Sequence, residues 1–147
     1  MRIIPMSQQE CSGLLKRVSI GRLGCSLDNQ PYVVPVGFSY EPGYIYIFST
    51  LGKKIEWMRE NPKVCLQADE VGDRSNWESV IVTGTYLELR EPQYSAERQH
   101  ALERLKQYSD YWEAPLAERR EQASDLEIET VFFRIEIGSM SGLRTIP

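Results

Sequence analysis

Three strand-type stretches follow one another between residues 18 and 50, and only brief turns separate them. They read VSIGRLGCSL, PYVVPVGFSY and YIYIFST, and the turns DNQP and EPG join them. Turns this short permit only antiparallel pairing, because a parallel pair needs a crossover of a dozen or more residues. This feature limits the possible folds more than any other in the sequence.

Three more strand candidates lie further along the chain: KVCLQADE, WESVIVTGTYLELR and ETVFFRIEIGSM, the last followed by the tail SGLRTIP. Gly84 lies within the longest of them and indicates a bulge. Six strands with mostly short connections predict a mainly β fold with flanking helices, in which an antiparallel sheet closes, or nearly closes, into a six-stranded barrel. The helices do not alternate strictly with the strands, which argues against a doubly wound parallel sheet.

Three helices are predicted beside these strands. Ser7 and Glu10 form the capping-box pattern at the start of MSQQECSGLLKRV. A short helix follows STLG and stops at Asn61-Pro62. A third helix is predicted from about residue 95 to residue 108, and the polar connection 109–127 receives no assignment.

Length and composition limit the classes of function. The 147 residues are the usual size of one domain, which is predicted to span 1–147. A net charge of −4 and a pI near 5.1 argue against a nucleic-acid partner. No run approaches the roughly 18 apolar residues of a membrane span, and the N-terminus lacks the apolar region of a signal peptide. We therefore expect no membrane partner and a cytoplasmic location.

The cysteines and the histidine offer little chemistry of their own. Cys11, Cys25 and Cys65 are widely spaced and form no Cys-x-x-Cys pair, so neither a disulfide framework nor a metal site is predicted. His100 is the only histidine, and we expect it on the surface of a helix. Since no Ser-His-Asp relay is indicated, no catalytic side chain is predicted.

The stretch STLGKKIEWMRENPKVC contains a conflict that suggests a ligand. Lys53 and Lys54 stand at the front of the predicted helix, where the helix dipole disfavours cations and favours anions. A bound phosphate would resolve this conflict through backbone N–H groups and the hydroxyls of Ser49 and Thr50. Gly52 would let the backbone approach the ligand closely. The alternative interpretation is a solvated lysine pair.

A second unusual residue is Pro35, inside YVVPVGFSY. Proline cannot donate a hydrogen bond to a ladder, so it predicts a sheet edge or an irregularity. Backbone groups near such a site would be open to a planar heterocycle. The alternative is an ordinary edge-strand proline.

Taken together, PYVVPVGFSYEPGYIYIFSTLGKKIEWMRENPKVCLQAD and WESVIVTGTYLEL resemble the FMN-binding split-barrel family. This is the pyridoxamine 5′-phosphate oxidase-related superfamily, and the resemblance is closer to its nitroimidazole-reductase-like branch. It covers roughly residues 5–90. The resemblance implies a homodimer of six-stranded split barrels that holds two FMN molecules in grooves between the subunits.

The resemblance also implies which positions contact the cofactor. The residues at the FMN phosphate would be Ser49, Thr50, Lys53 and Lys54. The residues along the isoalloxazine ring would be Val34, Pro35 and Val36. Ser79, on a neighbouring strand, would contact the flavin or its ribityl chain, and Val80 would pack beside Ser79.

Three positions depart from the family pattern. The oxidases carry an arginine and a lysine where this chain has Tyr32 and Gly37. The nitroimidazole-reductase branch often has a histidine where this chain has Phe48. These departures weaken the case for pyridoxamine phosphate oxidation and for nitroimidazole reduction.

The function that the resemblance implies is that of an FMN-dependent oxidoreductase with a small-molecule electron donor and acceptor. The flavin would transfer the electrons, and the protein would bind, orient and tune it. Two alternatives stay open. One is a flavin-binding module without turnover, acting as a carrier, sensor or storage protein. The other is a deazaflavin in place of FMN.

Overall fold

A computed structural model of the chain describes residues 1–106 and 130–147. The predicted connection 109–127 and the end of the third predicted helix lie outside these residues. The elements in chain order are β1 (Arg2–Pro5), α1 (Gln8–Arg17), β2 (Ile20–Leu27), β3 (Gln30–Glu41), β4 (Tyr44–Thr50), α2 (Lys53–Glu60), β5 (Lys63–Asp73), β6 (Asn76–Glu88), α3 (Ser95–Leu105) and β7 (Thr130–Ile146).

The sheet closes because β7 pairs with two different strands. Residues 130–136 of β7 pair antiparallel with β4, and residues 133–144 pair antiparallel with β6. The remaining ladder runs β4-β3-β2-β5-β6, so six antiparallel strands form a ring. This arrangement confirms the predicted six-stranded barrel.

The chain's two ends pair with each other, which the sequence did not predict. Strand β1 lies outside the ring and pairs with residues 143–146 of β7. The prediction that SGLRTIP is a tail is wrong, because β7 continues through Ile146. Ser141 and Gly142 interrupt the apolar pattern there, and pairing with β1 and β6 keeps the segment extended.

The predicted bulge at Gly84 is confirmed. Thr83 pairs with Ser139 and Gly84 pairs with Ile137, so Gly138 of β7 is the additional residue. A Cβ atom at position 84 would lie 2.3 Å from the carbonyl oxygen of Glu136. Only glycine permits such a close approach of the two strands.

The core fills the barrel with alternate strand side chains and with one face each of α1 and α2. Leu14 and Leu15 of α1 and Ile55 and Met58 of α2 are fully or almost fully buried in it. The predicted capping box of α1 is present. Among the described residues, no helix is long and apolar enough to cross a membrane.

Helix α3 packs on the outside of the barrel against β4 and β7, where it buries Ala101 and Leu105. His100 lies on its exposed side, as predicted, and its Nε2 atom is 3.0 Å from the Glu41 carboxylate. Arg104 donates to the Tyr40 carbonyl oxygen at 2.7 Å. These polar contacts fix α3 to the β3–β4 hairpin.

Candidate functional site

Strand β3 has a local edge inside the otherwise closed barrel. Its residues 30–37 pair with β2, but only residues 38–41 pair with β4. Beyond that point β4 pairs with β7 alone and leads into α2. The side of residues 30–37 that faces away from β2 has no described strand beside it. Pro35 lies on this local edge, so the edge predicted from it is confirmed.

The ladder register identifies which backbone groups face the gap. Phe38 N donates to the Ser19 carbonyl oxygen at 3.0 Å, and hydrogen-bonded pairs alternate along an antiparallel ladder. Even-numbered residues, including Val34 and Val36, therefore bond to β2. The groups facing the gap are the N–H and C=O of Val33 and Gly37 and the C=O of Pro35.

This parity changes the predicted contacts along β3. Val36 is buried in the core and Val34 is half-buried, so both side chains pack toward the barrel interior. Pro35 and Val33 are exposed, and Val33 retains 64% of its accessible surface. The predicted stretch Val34–Val36 therefore offers the gap only the Pro35 carbonyl and ring, and the residues that sequence reasoning missed are Val33 and Gly37.

The turn between β4 and α2 follows the strand that pairs with β3 on its edge away from β2, which is the edge of the gap. Gly52 is the N-cap of α2, and no side chain caps the N-terminal N–H groups of this helix. Ser49 is buried, and its hydroxyl donates to the Thr50 carbonyl oxygen at 3.0 Å. The hydroxyl proton is therefore already used in this bond, and the predicted contact of Ser49 with a phosphate stays a prediction. Thr50 is half-buried at the end of β4.

Lys53 and Lys54 are the first two residues of α2. The Lys53 ammonium nitrogen lies 4.9 Å from the ring centroid of Tyr32 and 4.8 Å from that of Trp57. Among the described residues no carboxylate pairs with Lys53. The sequence missed Tyr32 and Trp57 as site residues, although Trp57 follows Lys53 by four positions and so shares its helix face.

We call the place where the gap beside β3 adjoins the N-terminus of α2 the corner. The structure does not bring Ser79 and Val80 of the same chain to this corner. Both lie on β6, three strands from β3 in either direction around the ring. The Ser79 hydroxyl accepts a hydrogen bond from Gln67 Nε2 at 3.0 Å on the outer face of the barrel. Val80 is fully buried in the interior, so its side chain does not face a ligand outside the barrel.

A groove on the outer face of the barrel adjoins the corner. It has a volume of about 570 Å³ and is largely apolar, and Tyr32 and Val33 form one side of it. Gly24, Cys65 and Gly84 are also among its lining residues. Tyr32 therefore borders both the groove and the Lys53 ammonium group.

The arrangement can bind an anion next to a planar group. The N-terminus of α2 and two lysines provide positive potential, and the local edge of β3, which carries the Tyr32 ring 4.9 Å from the Lys53 ammonium nitrogen, provides backbone donors and acceptors. Within residues 1–106 and 130–147, no group of three or more His, Cys, Asp or Glu residues could hold a metal ion.

The family model for pyridoxamine 5′-phosphate oxidase matches residues 7–144. The chain belongs to this family. An uncharacterised protein of Rhizobium meliloti is 38% identical to this family member over 138 residues, which are 93% of this chain and 91% of the relative.

Solved structures agree with the family and with the predicted split barrel. An FAD-binding protein from Mesorhizobium loti, known from its crystal structure, is 39% identical in sequence to this chain. The two structures match with a TM-score of 0.80 over 99% of this chain and 100% of that protein. A Bacteroides thetaiotaomicron protein that is named for 5-nitroimidazole antibiotic resistance is 20% identical and shares the fold, with a TM-score of 0.70 over 98% of this chain and 89% of its own.

In this oxidase-family chain, α2 is fixed to the barrel at its C-terminal end. Arg59 contacts both carboxylate oxygens of Glu88, at 2.8 and 3.1 Å. Arg90 and Tyr86 donate to the same carboxylate at 2.5 and 2.6 Å. Burial acts to raise the pKa of Glu88, but these hydrogen bonds and charges prevail and lower it to about 2. The predicted stop at Asn61 is also confirmed, and its amide donates to the Ser26 carbonyl oxygen at 3.0 Å.

We expect Glu88→Gln to destabilise the fold at neutral pH by on the order of 3 kcal/mol at most. The folded pKa lies below the ordinary glutamate value of 4.5, so this stability is complete above about pH 4.5 and is lost as the pH falls toward 2. Urea unfolding of both proteins at pH 7 and pH 3 measures the effect. Glu60→Gln, on the exposed end of α2, is the control. If Glu88→Gln lowered the free energy of unfolding equally at pH 7 and pH 3, the low pKa assigned to Glu88 would be contradicted.

Proposed function

We propose that this chain binds FMN at the corner between the local edge of β3 and the N-terminus of α2 and acts as an FMN-dependent oxidoreductase. One observation carries the proposal: the N-terminus of α2 has no side-chain cap and bears Lys53 and Lys54, and Lys53 lies 4.9 Å from the ring of Tyr32, on the segment of β3 whose outer edge pairs with no described strand. Such a corner suits a ligand with an anionic end and a planar, hydrogen-bonding ring.

The residues present fit this cofactor. The phosphate would be held by N–H groups at the start of α2, by Lys53 and Lys54, and by the Thr50 hydroxyl. The ring would lie along the β3 edge, where Val33 and Gly37 present both donors and acceptors. When bound, a flavin supplies the capacity to accept and release electrons, and these residues bind, orient and shield it.

Flavin binding is also supported by the FAD-binding relative from Mesorhizobium loti, which aligns along the whole chain. We favour FMN over the dinucleotide because the corner presents one group of phosphate donors, gathered at residues 50–54. Titration with riboflavin, FMN and FAD in parallel compares the three ligands directly.

Replacing both Lys53 and Lys54 with alanine should weaken FMN binding by on the order of 3 kcal/mol, roughly 100-fold, because charge-assisted hydrogen bonds to the phosphate are lost. Riboflavin has no phosphate, so its affinity should change little. Quenching of flavin fluorescence measures both affinities. Lys16→Ala, on the exposed end of α1, is the matched control. Unchanged FMN affinity in the double variant would show that the phosphate lies elsewhere.

The proposed enzyme differs from a carrier or sensor in its kinetics. We expect NADH or NADPH to bleach the flavin absorbance rapidly under anaerobic conditions, and a quinone or nitro compound to restore it. Stopped-flow absorbance measures both steps. A bound flavin that neither nucleotide reduces would favour the module without turnover. The absorbance spectrum of the purified protein separately distinguishes a flavin from a deazaflavin.

We further propose that the chain forms a homodimer through the outer face of the barrel. Exposed apolar side chains on the outside of the barrel support the proposal: Ile81 on β6 and Leu143 on β7 are 42% and 48% exposed, and Val33, across the ring on β3, is 64% exposed. Monomeric proteins rarely leave large contiguous apolar patches open to water. Since Ser79 lies across the barrel from β3, it could join the corner only from a second subunit.

Charge placed in this face should separate the subunits. We expect the parent protein to have about twice the chain mass of 17.0 kDa by light scattering, and the variants Val33→Glu and Ile81→Glu to approach the chain mass. Gln9→Glu on the exposed face of α1 introduces the same charge elsewhere and should leave the mass unchanged. A monomeric parent protein would refute the homodimer.

A further inference from the structure

The Lys53 ammonium group contacts two aromatic rings at once. Its distances to the centroids of Tyr32 and Trp57 are 4.9 and 4.8 Å, and both are within the range of a cation–π contact. The two rings are themselves 5.7 Å apart and inclined by 53°. Tyr32 comes from β3 and Trp57 from α2, so the contact spans the gap between strand and helix.

This environment restrains the lysine without neutralising it. Several arginines of the chain contact carboxylates, for example Arg17 with Glu70 at 2.8 Å. Lys53 has no such partner among the described residues, and it stands at a helix N-terminus where the dipole disfavours a cation. A lysine side chain normally samples many rotamers, and two ring contacts reduce that freedom. The result is a positive charge that two rings hold at the N-terminus of α2, with no carboxylate paired to it among the described residues.

We propose that Tyr32 and Trp57 are positioning residues that hold Lys53 for a phosphoryl group and thereby set the preference for phosphorylated over unphosphorylated ligands. The rings fix the side chain before the ligand arrives, so less conformational freedom is lost on binding. They leave the ammonium N–H groups that point away from them able to donate. For flavin ligands this inference rests on the proposed function, whereas for a free phosphate ion it does not.

A double-mutant cycle with two ligands tests the inference. Tyr32→Leu and Trp57→Leu should each lower FMN affinity about 3- to 10-fold and change riboflavin affinity by less than about two-fold. In a Lys53→Met background the same substitutions should have no further effect on FMN. Tyr32→Phe and Trp57→Phe keep an aromatic ring, so the FMN affinity of these variants should stay within about two-fold of that of the parent protein. Thermal melts verify that each variant is folded.

The cycle overturns the inference if FMN and riboflavin affinities fall together, because the rings would then act on the flavin ring or brace the strand. It also overturns the inference if the loss persists in Lys53→Met. The Tyr32 and Trp57 variants test the positioning role independently, so the test still gives a result if one of them is unfolded.

An NMR experiment separates this inference from the proposed function. The Lys53 ε-CH₂ signal, identified by its absence in Lys53→Met, should be shifted upfield by the two rings and should move when inorganic phosphate is added. Tyr32→Phe should keep the upfield shift, and Tyr32→Leu should reduce it. A Lys53 signal that phosphate does not move refutes the inference even if FMN binds. A signal that phosphate moves, in a protein that binds no flavin, refutes the proposed function and supports the inference.

Discussion

The separation of β3 from β4 is the constraint on which the candidate site depends. The two strands pair over residues 38–41 and 44–47, and the same register would next place Gly37 opposite Phe48 and Pro35 opposite Thr50. Odd-numbered residues of β3 direct their backbone groups toward β4, so Pro35 would have to donate an N–H that it lacks. On its opposite edge β4 pairs with β7 along its whole length, so it stays in the sheet after it has left β3. Proline thus favours the gap that the barrel retains.

The separation of β4 from β3 creates both parts of the corner, the free edge of β3 and the N-terminus of α2. Because β4 leaves β3 and ends at Thr50, α2 begins beside the gap and presents its N-terminal N–H groups there. The same departure leaves Val33, Pro35 and Gly37 with backbone groups that no strand in the described part of the chain covers. Exposed edges of this kind favour association with another chain unless something covers them. A ring-bearing anion would satisfy the strand edge and the helix terminus together.

The sequence predicted features that depend on near neighbours along the chain. The capping box at Ser7, the stop at Asn61, the bulge at Gly84 and the edge at Pro35 each follow from local backbone chemistry, and the structure has all four. The pairing of β1 with the end of β7 was missed because it joins the two ends of the chain through short, mixed segments. No local pattern specifies such a contact.

Which residues of β3 face the gap could not be predicted either, because this also depends on contacts that no local pattern specifies. Whether Val33 or Val34 faces the gap depends on the parity of the β2–β3 ladder, which the two-residue turn at Asp28 and Asn29 sets through their positive φ angles of 51° and 65°. The sequence located that turn within DNQP without fixing its central pair. The contact of Tyr32 with Trp57 is harder still, because it exists only once the gap has opened and α2 lies across it.

Helix α2 is held differently at its two ends, and this difference explains how the corner can stay ordered. Its C-terminal end is fixed by Arg59 on the half-buried carboxylate of Glu88 and by Asn61 on the β2 backbone. Ile55 and Met58 bury its inner face in the core. The N-terminal end has no side-chain cap, and rings rather than a carboxylate restrain Lys53. A helix anchored in this way keeps its open end in place, so the proposed anion would meet donors that are already oriented, and this preorganisation would strengthen its binding.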